Sequence, residues 1–181
     1  AWGGEAGIEH DFEAARLSLG AAYFLQRYQD LVDFDFEQFL HVNRSRVRTQ
    51  GVELSARWRP HPALGLDAEA TYLDAQDLDG GVLLHEPRWT GGVRLTWQPD
   101  ERLSVRLQAR AVSGSYDQQI PVPDRDTVDG YSLVGLAGSW RVHDGWTLRA
   151  RLDNLADRSY ETLIGFPGPG RSFWLGVGWD R

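Results

Sequence analysis

Apolar and polar residues alternate with a period of two along most of the chain. Ala6, Ile8 and Phe12 oppose Glu5, Glu9 and Asp11, and Leu17, Leu19, Ala21, Tyr23 and Leu25 oppose Arg16, Ser18 and Gln26. The same pattern returns over 52–58, 64–72, 89–97, 103–110, 134–142 and 146–153. It returns again in the tail, where Phe173, Leu175, Val177 and Trp179 share a face. Successive strand side chains point to opposite faces, so the pattern predicts nine strands, each with one apolar face, and no helix.

The links between these segments alternate in length. Short ones fall near 13–15, 60–62, 99–101 and 143–145, and long ones near 33–45, 74–87, 113–130 and 155–171. All short turns then lie at one end of an up-and-down antiparallel sheet and all long loops at the other, as in outer-membrane barrels. Trp58, Trp97, Trp140 and Trp146 stand on the apolar face close to short turns, and Trp179 stands near the chain end. Tyr23, Tyr72 and Trp89 fall toward the long loops. Two bands of amphipathic aromatics are what the two interfaces of a bilayer select. Val105 and Leu148 are read as the centre of the apolar face.

A soluble β-sandwich or small barrel, acting as a stand-alone binding module, also alternates apolar and polar. Three features favour an all-β, antiparallel membrane barrel over it. These are the loop-length alternation, the aromatic banding, and a polar face carrying Arg94, Arg106, Arg110, Arg149 and Arg151 with Glu53, Asp67 and Glu69. Such a face suits a polar lumen.

Composition narrows the classes. The 181 residues carry a net charge of −7, which argues against a nucleic-acid surface. The absence of cysteine excludes disulfides and thiolate metal sites. No run approaches the ~18 apolar residues of a spanning helix, and no signal-peptide pattern is present.

Several stretches resemble the C-terminal part of the barrel of TonB-dependent outer-membrane receptors, in the branch of cobalamin and siderophore transporters. They are "GGEAGIEHDF", "YFLQRYQDLVDF", "NRSRVRTQGVELSARW", "ATYLDAQD", "EPRWTGGVRLTW", "DGYSLVGLAGSW" and "RLDNLADRSYETLIGFPGPGRSFWLGV". The resemblance implies a barrel of about 22 strands, of which this stretch supplies the last nine. It implies a location in the Gram-negative outer membrane and a role in uptake of a large nutrient: siderophore-bound iron, cobalamin or haem. No plug domain and no TonB box are present in the stretch, so residues 1–181 read as a single barrel segment that does not transport alone. Its partners would be lipid, the remaining strands and plug or a second copy, and TonB only through the plug. Family chains usually finish on an aromatic, whereas this one has Trp179 followed by Asp180 and Arg181.

No catalytic constellation or cofactor site is found, and an enzyme is not expected. "GFPGPGR" lacks the Lys-Ser/Thr ending of a phosphate loop and leads into a strand. It reads as a rigid external loop that Arg171 tethers through charge-assisted hydrogen bonds. His41 and His85, with Tyr116 and Phe166, are placed in the long loops as candidate ligand contacts. His10, His61 and His143 have no metal-ligand spacing. The acidic runs Asp30, Asp33, Asp35, Glu37 and Asp74, Asp77, Asp79 lack a Ca²⁺-loop pattern and read as surface charge.

Overall fold

The computed structural model describes residues 1–35, 39–117 and 126–179. Nine strands pair in chain order into one antiparallel sheet. They are β1 (Trp2–Phe12), β2 (Leu17–Asp35), β3 (Leu40–His61), β4 (Leu64–Asp77), β5 (Trp89–Trp97), β6 (Leu103–Val112), β9 (Tyr131–His143), β10 (Trp146–Asp153) and β13 (Ser172–Trp179). Two small ladders sit in the long connections: β7 (Ser115–Tyr116) with β8 (Thr127–Val128), and β11 (Glu161–Leu163) with β12 (Phe166–Pro167). Glu37, Asp180 and Arg181 lie outside the described residues.

Short turns are closed by local chemistry. A 3₁₀ turn, Glu13–Ala15, links β1 to β2 and ends at Arg16, whose φ of 51° permits the reversal. Asp100 accepts backbone hydrogen bonds from Arg102 (2.8 Å) and Leu103 (2.9 Å), an Asx turn that starts β6.

The wall is one layer thick. Among the described residues only Val47, Val128 and Ile164 are buried hydrophobics, and none of the three belongs to the apolar sheet face. The accessible surface is 12910 Å², whereas a compact protein of 20.4 kDa exposes about 8,800 Å². The sandwich alternative fails on this point, because no second sheet covers the apolar face among the described residues. Phe173, Leu175 and Val177 remain 64%, 67% and 64% exposed. The two edges, β1 and β13, are not paired with each other among the described residues.

The long links differ from expectation at two places: β4 runs to Asp77, into the 74–87 link, and the 33–45 link changes more. The 33–45 segment is mostly strand: β2 runs to Asp35 and β3 starts at Leu40. His41, expected in a loop, lies on β3 opposite Phe34.

Register gives the tilt of the wall. The pairing row through Trp58 passes Leu66 and reaches Leu95, two residues short of Trp97. The row through Trp97 passes Val105 and reaches Gly138, two short of Trp140. The row through Trp140 passes Leu148 and reaches Val177, two short of Trp179. Each step is roughly 6.6 Å along the strand for about 9.6 Å across two strands, which matches a strand tilt of about 35°. At that tilt the four tryptophans share one height. Val105 stands opposite Trp97 and Leu148 opposite Trp140, so both lie at this level and not at the centre of the apolar face. The centre falls near Val93, midway along β5 between Trp97 and Trp89.

Candidate ligand-binding rim and inner wall

The apolar face dips at mid-height, where Ala21, Ala56, Ala68, Ala70, Gly91 and Ala109 are small. The dip presents almost no polar group to orient a ligand. Chemistry is concentrated on the opposite face and at the long-loop end.

On the opposite face charge is segregated. Strands β1–β4 place Glu5, Glu9, Asp11, Glu53, Asp67 and Glu69 there, with Arg57 and Arg59 among them. Strands β5, β6 and β10 place Arg94, Arg106, Arg110, Arg149 and Arg151 there. Within the acidic half, Asp67 pairs with Arg59 at 2.7 Å, and Ser18 donates to Asp11. In the basic half, Arg151 pairs with Asp153 at 2.8 Å. Trp174 covers Gly176 on this face, an aromatic ring filling the space a Cβ would take.

At the long-loop end three connections are joined through one carboxylate. Asp117 is 5% exposed. Its Oδ2 accepts the Ile164 backbone N–H at 2.6 Å, and its Oδ1 lies 2.7 Å from His85 Nε2. The His85 N–H also donates to the Tyr116 carbonyl at 2.8 Å. His85 has φ 61°, a left-handed backbone that a bulky residue adopts only under constraint. Partial burial lifts the neighbouring Glu86 carboxyl above its usual value, and the nearby His85 opposes that rise. The segments carrying His85, Tyr116 and Phe166 thus meet at one rim, since Phe166 follows Ile164 by two residues. Tyr116 and Phe166 are 50% and 63% exposed. His41 belongs instead to the β2–β3 hairpin.

The last loop is organised by Asn154, which the sequence reading quoted in a motif but did not single out. Its buried amide donates to the carbonyls of Arg158 (2.8 Å) and Pro169 (3.2 Å), and its Oδ1 accepts the Arg158 N–H at 2.9 Å. Asp157 accepts the Arg171 backbone N–H at 2.8 Å, and the Arg171 guanidinium lies 3.4 Å from it. The backbone bond chiefly, then the guanidinium, holds the Asp157 carboxyl below its usual value. Tyr160 packs on Tyr131 with ring centroids 4.6 Å apart and lies over Gly168.

In the acidic run on β4 and the following loop, Asp79 pairs with Arg46 at 2.9 Å, and Asp74 accepts from the amides of Gln50 and Gln76. Among the described residues no three metal-ligating side chains come together.

A tilted one-layer wall with an apolar face banded by aromatics, a charged opposite face and folded loops at one end defines a segment of an outer-membrane β-barrel. The TonB-dependent receptor-like β-barrel family model matches residues 1–155, and the chain belongs to that family. Barrels of this family lie in the Gram-negative outer membrane. A vitamin B12 transporter of Vibrio cholerae is 45% identical over 54 residues, which is 30% of this chain and 9% of that protein. The ferric-catecholate import receptor Fiu of Escherichia coli K12 superposes with a TM-score of 0.80 at 21% identity, over 98% of this chain and 27% of that one. The ferripyoverdine receptor of the Pseudomonas aeruginosa outer membrane does so with a TM-score of 0.80 at 20% identity, over 98% of this chain and 26% of that one. These two likenesses establish the fold. The chain spans about a quarter of the length of these solved relatives.

Proposed function

We propose that this segment forms the C-terminal wall of a TonB-dependent receptor that takes up siderophore-bound iron or cobalamin across the outer membrane. The observation that carries the reading is the two-faced, one-layer wall whose sequence matches the family barrel. The apolar face meets lipid, with Trp58, Trp97, Trp140, Trp146 and Trp179 at one interface. The charged face meets the lumen and the plug domain. His85, Tyr116 and Phe166, at the rim where three loops join, contact the incoming ligand, and His41 does so from the neighbouring hairpin. Arg171 tethers the last loop through Asp157. The segment acts as a receptor wall and not as an enzyme, and it does not transport without a plug through which TonB acts.

The test uses the full receptor in a strain lacking its own uptake systems, offered labelled cobalamin and a panel of labelled ferric siderophores. Energy-dependent uptake of one of them, lost with His85→Ala/Tyr116→Ala/Phe166→Ala, is the expected result. A receptor that takes up none of them, or a purified segment that stays monomeric without detergent, overturns the reading.

A further inference from the structure

Two arginines stand directly opposite each other on neighbouring strands of the apolar face. Arg27 of β2 is the pairing partner of Arg48 of β3. Like charges so placed repel, and the arrangement is costly unless an anion lies between them. Neither has a carboxylate partner among the described residues. Arg27 is exposed, with its guanidinium 6.0 Å from the Trp2 ring centroid. Arg48 donates to Gln76 at 2.7 Å, and its Nε is buried without any partner. Two carboxylates of β4 and the loop after it already have other partners. Asp74 accepts from Gln50 and Gln76, and Asp79 holds Arg46.

Height decides what the anion is. Arg48 is ten residues from Trp58 along β3. At the tilt found above this is about 27 Å along the membrane normal, against an apolar band of about 25 Å. The pair therefore faces outward at the edge of the hydrocarbon, at the long-loop end. Trp2, Tyr72 and Trp89 also lie toward that edge, and the Tyr72 and Trp89 rings pack 4.8 Å apart.

We infer that Arg27 and Arg48 form a binding site for the phosphate of an anionic lipid headgroup in the outer leaflet. Guanidinium forks match phosphate geometry bidentately, and two of them facing lipid at headgroup depth give one phosphate a fixed station on the barrel surface. The Trp2 ring beneath Arg27 supports its guanidinium through cation–π contact. This inference rests on the apolar face being the lipid face.

The experiment is native mass spectrometry of the detergent-solubilised full receptor, mixed with phosphatidylglycerol or with phosphatidylcholine of the same acyl chains. Selective retention of phosphatidylglycerol is expected. Arg27→Gln/Arg48→Gln should weaken it about thirtyfold, the worth of two basic residues at an anionic lipid surface. Arg27→Lys/Arg48→Lys should keep part of it, which separates charge from fold. Equal retention of both lipids, or retention unchanged in the glutamine variant, overturns the inference. So does displacement by millimolar inorganic phosphate, which would mark a free-phosphate site. A receptor that needs no detergent would overturn the lipid-face reading instead, and the two failures are thus distinguishable.

Discussion

Asp117 and Ile164, 47 residues apart in sequence, meet through a hydrogen bond of 2.6 Å from the Ile164 backbone N–H to a buried carboxylate oxygen. With His85 on the other oxygen, the contact makes three loops one body. Asp117→Ala leaves the Ile164 N–H without its charged acceptor, a loss of about 1.5–3 kcal/mol for a bond of this kind. Hydrogen exchange at Ile164 should rise at least tenfold, while Asp117→Asn, which keeps an acceptor, shows a smaller rise. Unchanged exchange in the alanine variant would mean that the loops hold together without this contact.

Depth on the apolar face sets the cost of a charge. Val93→Arg and Leu136→Arg, each four residues from a belt tryptophan on its own strand, should cost the full receptor about 2–4 kcal/mol in lipid. Val105→Arg and Leu148→Arg, at belt level, should cost only about 0–1 kcal/mol. Denaturant unfolding in lipid vesicles checks the contrast. Equal costs at both depths would remove the tilt argument.

The Asp157 carboxyl is depressed, so the sign of its pH effect is fixed. Its bonds with Arg171 contribute above the ordinary carboxylate value and are lost as pH falls through the lower folded value. Because the backbone N–H of Arg171 is the larger cause, Arg171→Gln should return Asp157 only part of the way. A carbon-detected NMR titration of Asp157 reads this directly. A full return in the variant would assign the effect to the guanidinium.

A Cβ on Gly168 would sit 2.1 Å from the Tyr160 ring. Gly168→Ala therefore forces the ring off its place against Tyr131, at a cost of about 1–3 kcal/mol. Proteolysis within 154–171 should quicken, and adding Tyr160→Ala should bring little further change. Independent, additive effects of the two substitutions would show that the ring and the glycine are not coupled.

The strands within the bilayer were legible because lipid on one side and water on the other write an alternation into every one of them. That writing stops where both faces are wet. Residues 28–35 and 40–47 continue β2 and β3 without a regular apolar face, so the sequence pattern assigns a loop to 33–45. The tryptophan level was legible from turn distances, but the depth of Val105 was not, because stagger between strands is a property of pairing. The rim was half legible. His85, Tyr116 and Phe166 stood out by residue type, whereas Asp117 and Asn154 act through backbone groups distant in sequence, and no local pattern marks such contacts.

The nine-stranded meander, whose two edges are unpaired among the described residues, also carries a counting rule. Its first and last strands point the same way, so a ring that stays antiparallel throughout can be completed only by an odd number of further strands. One added strand satisfies this, as does a second copy of this segment or the longer remainder of a receptor barrel. A lone added hairpin does not, and it would leave a parallel seam somewhere in the wall.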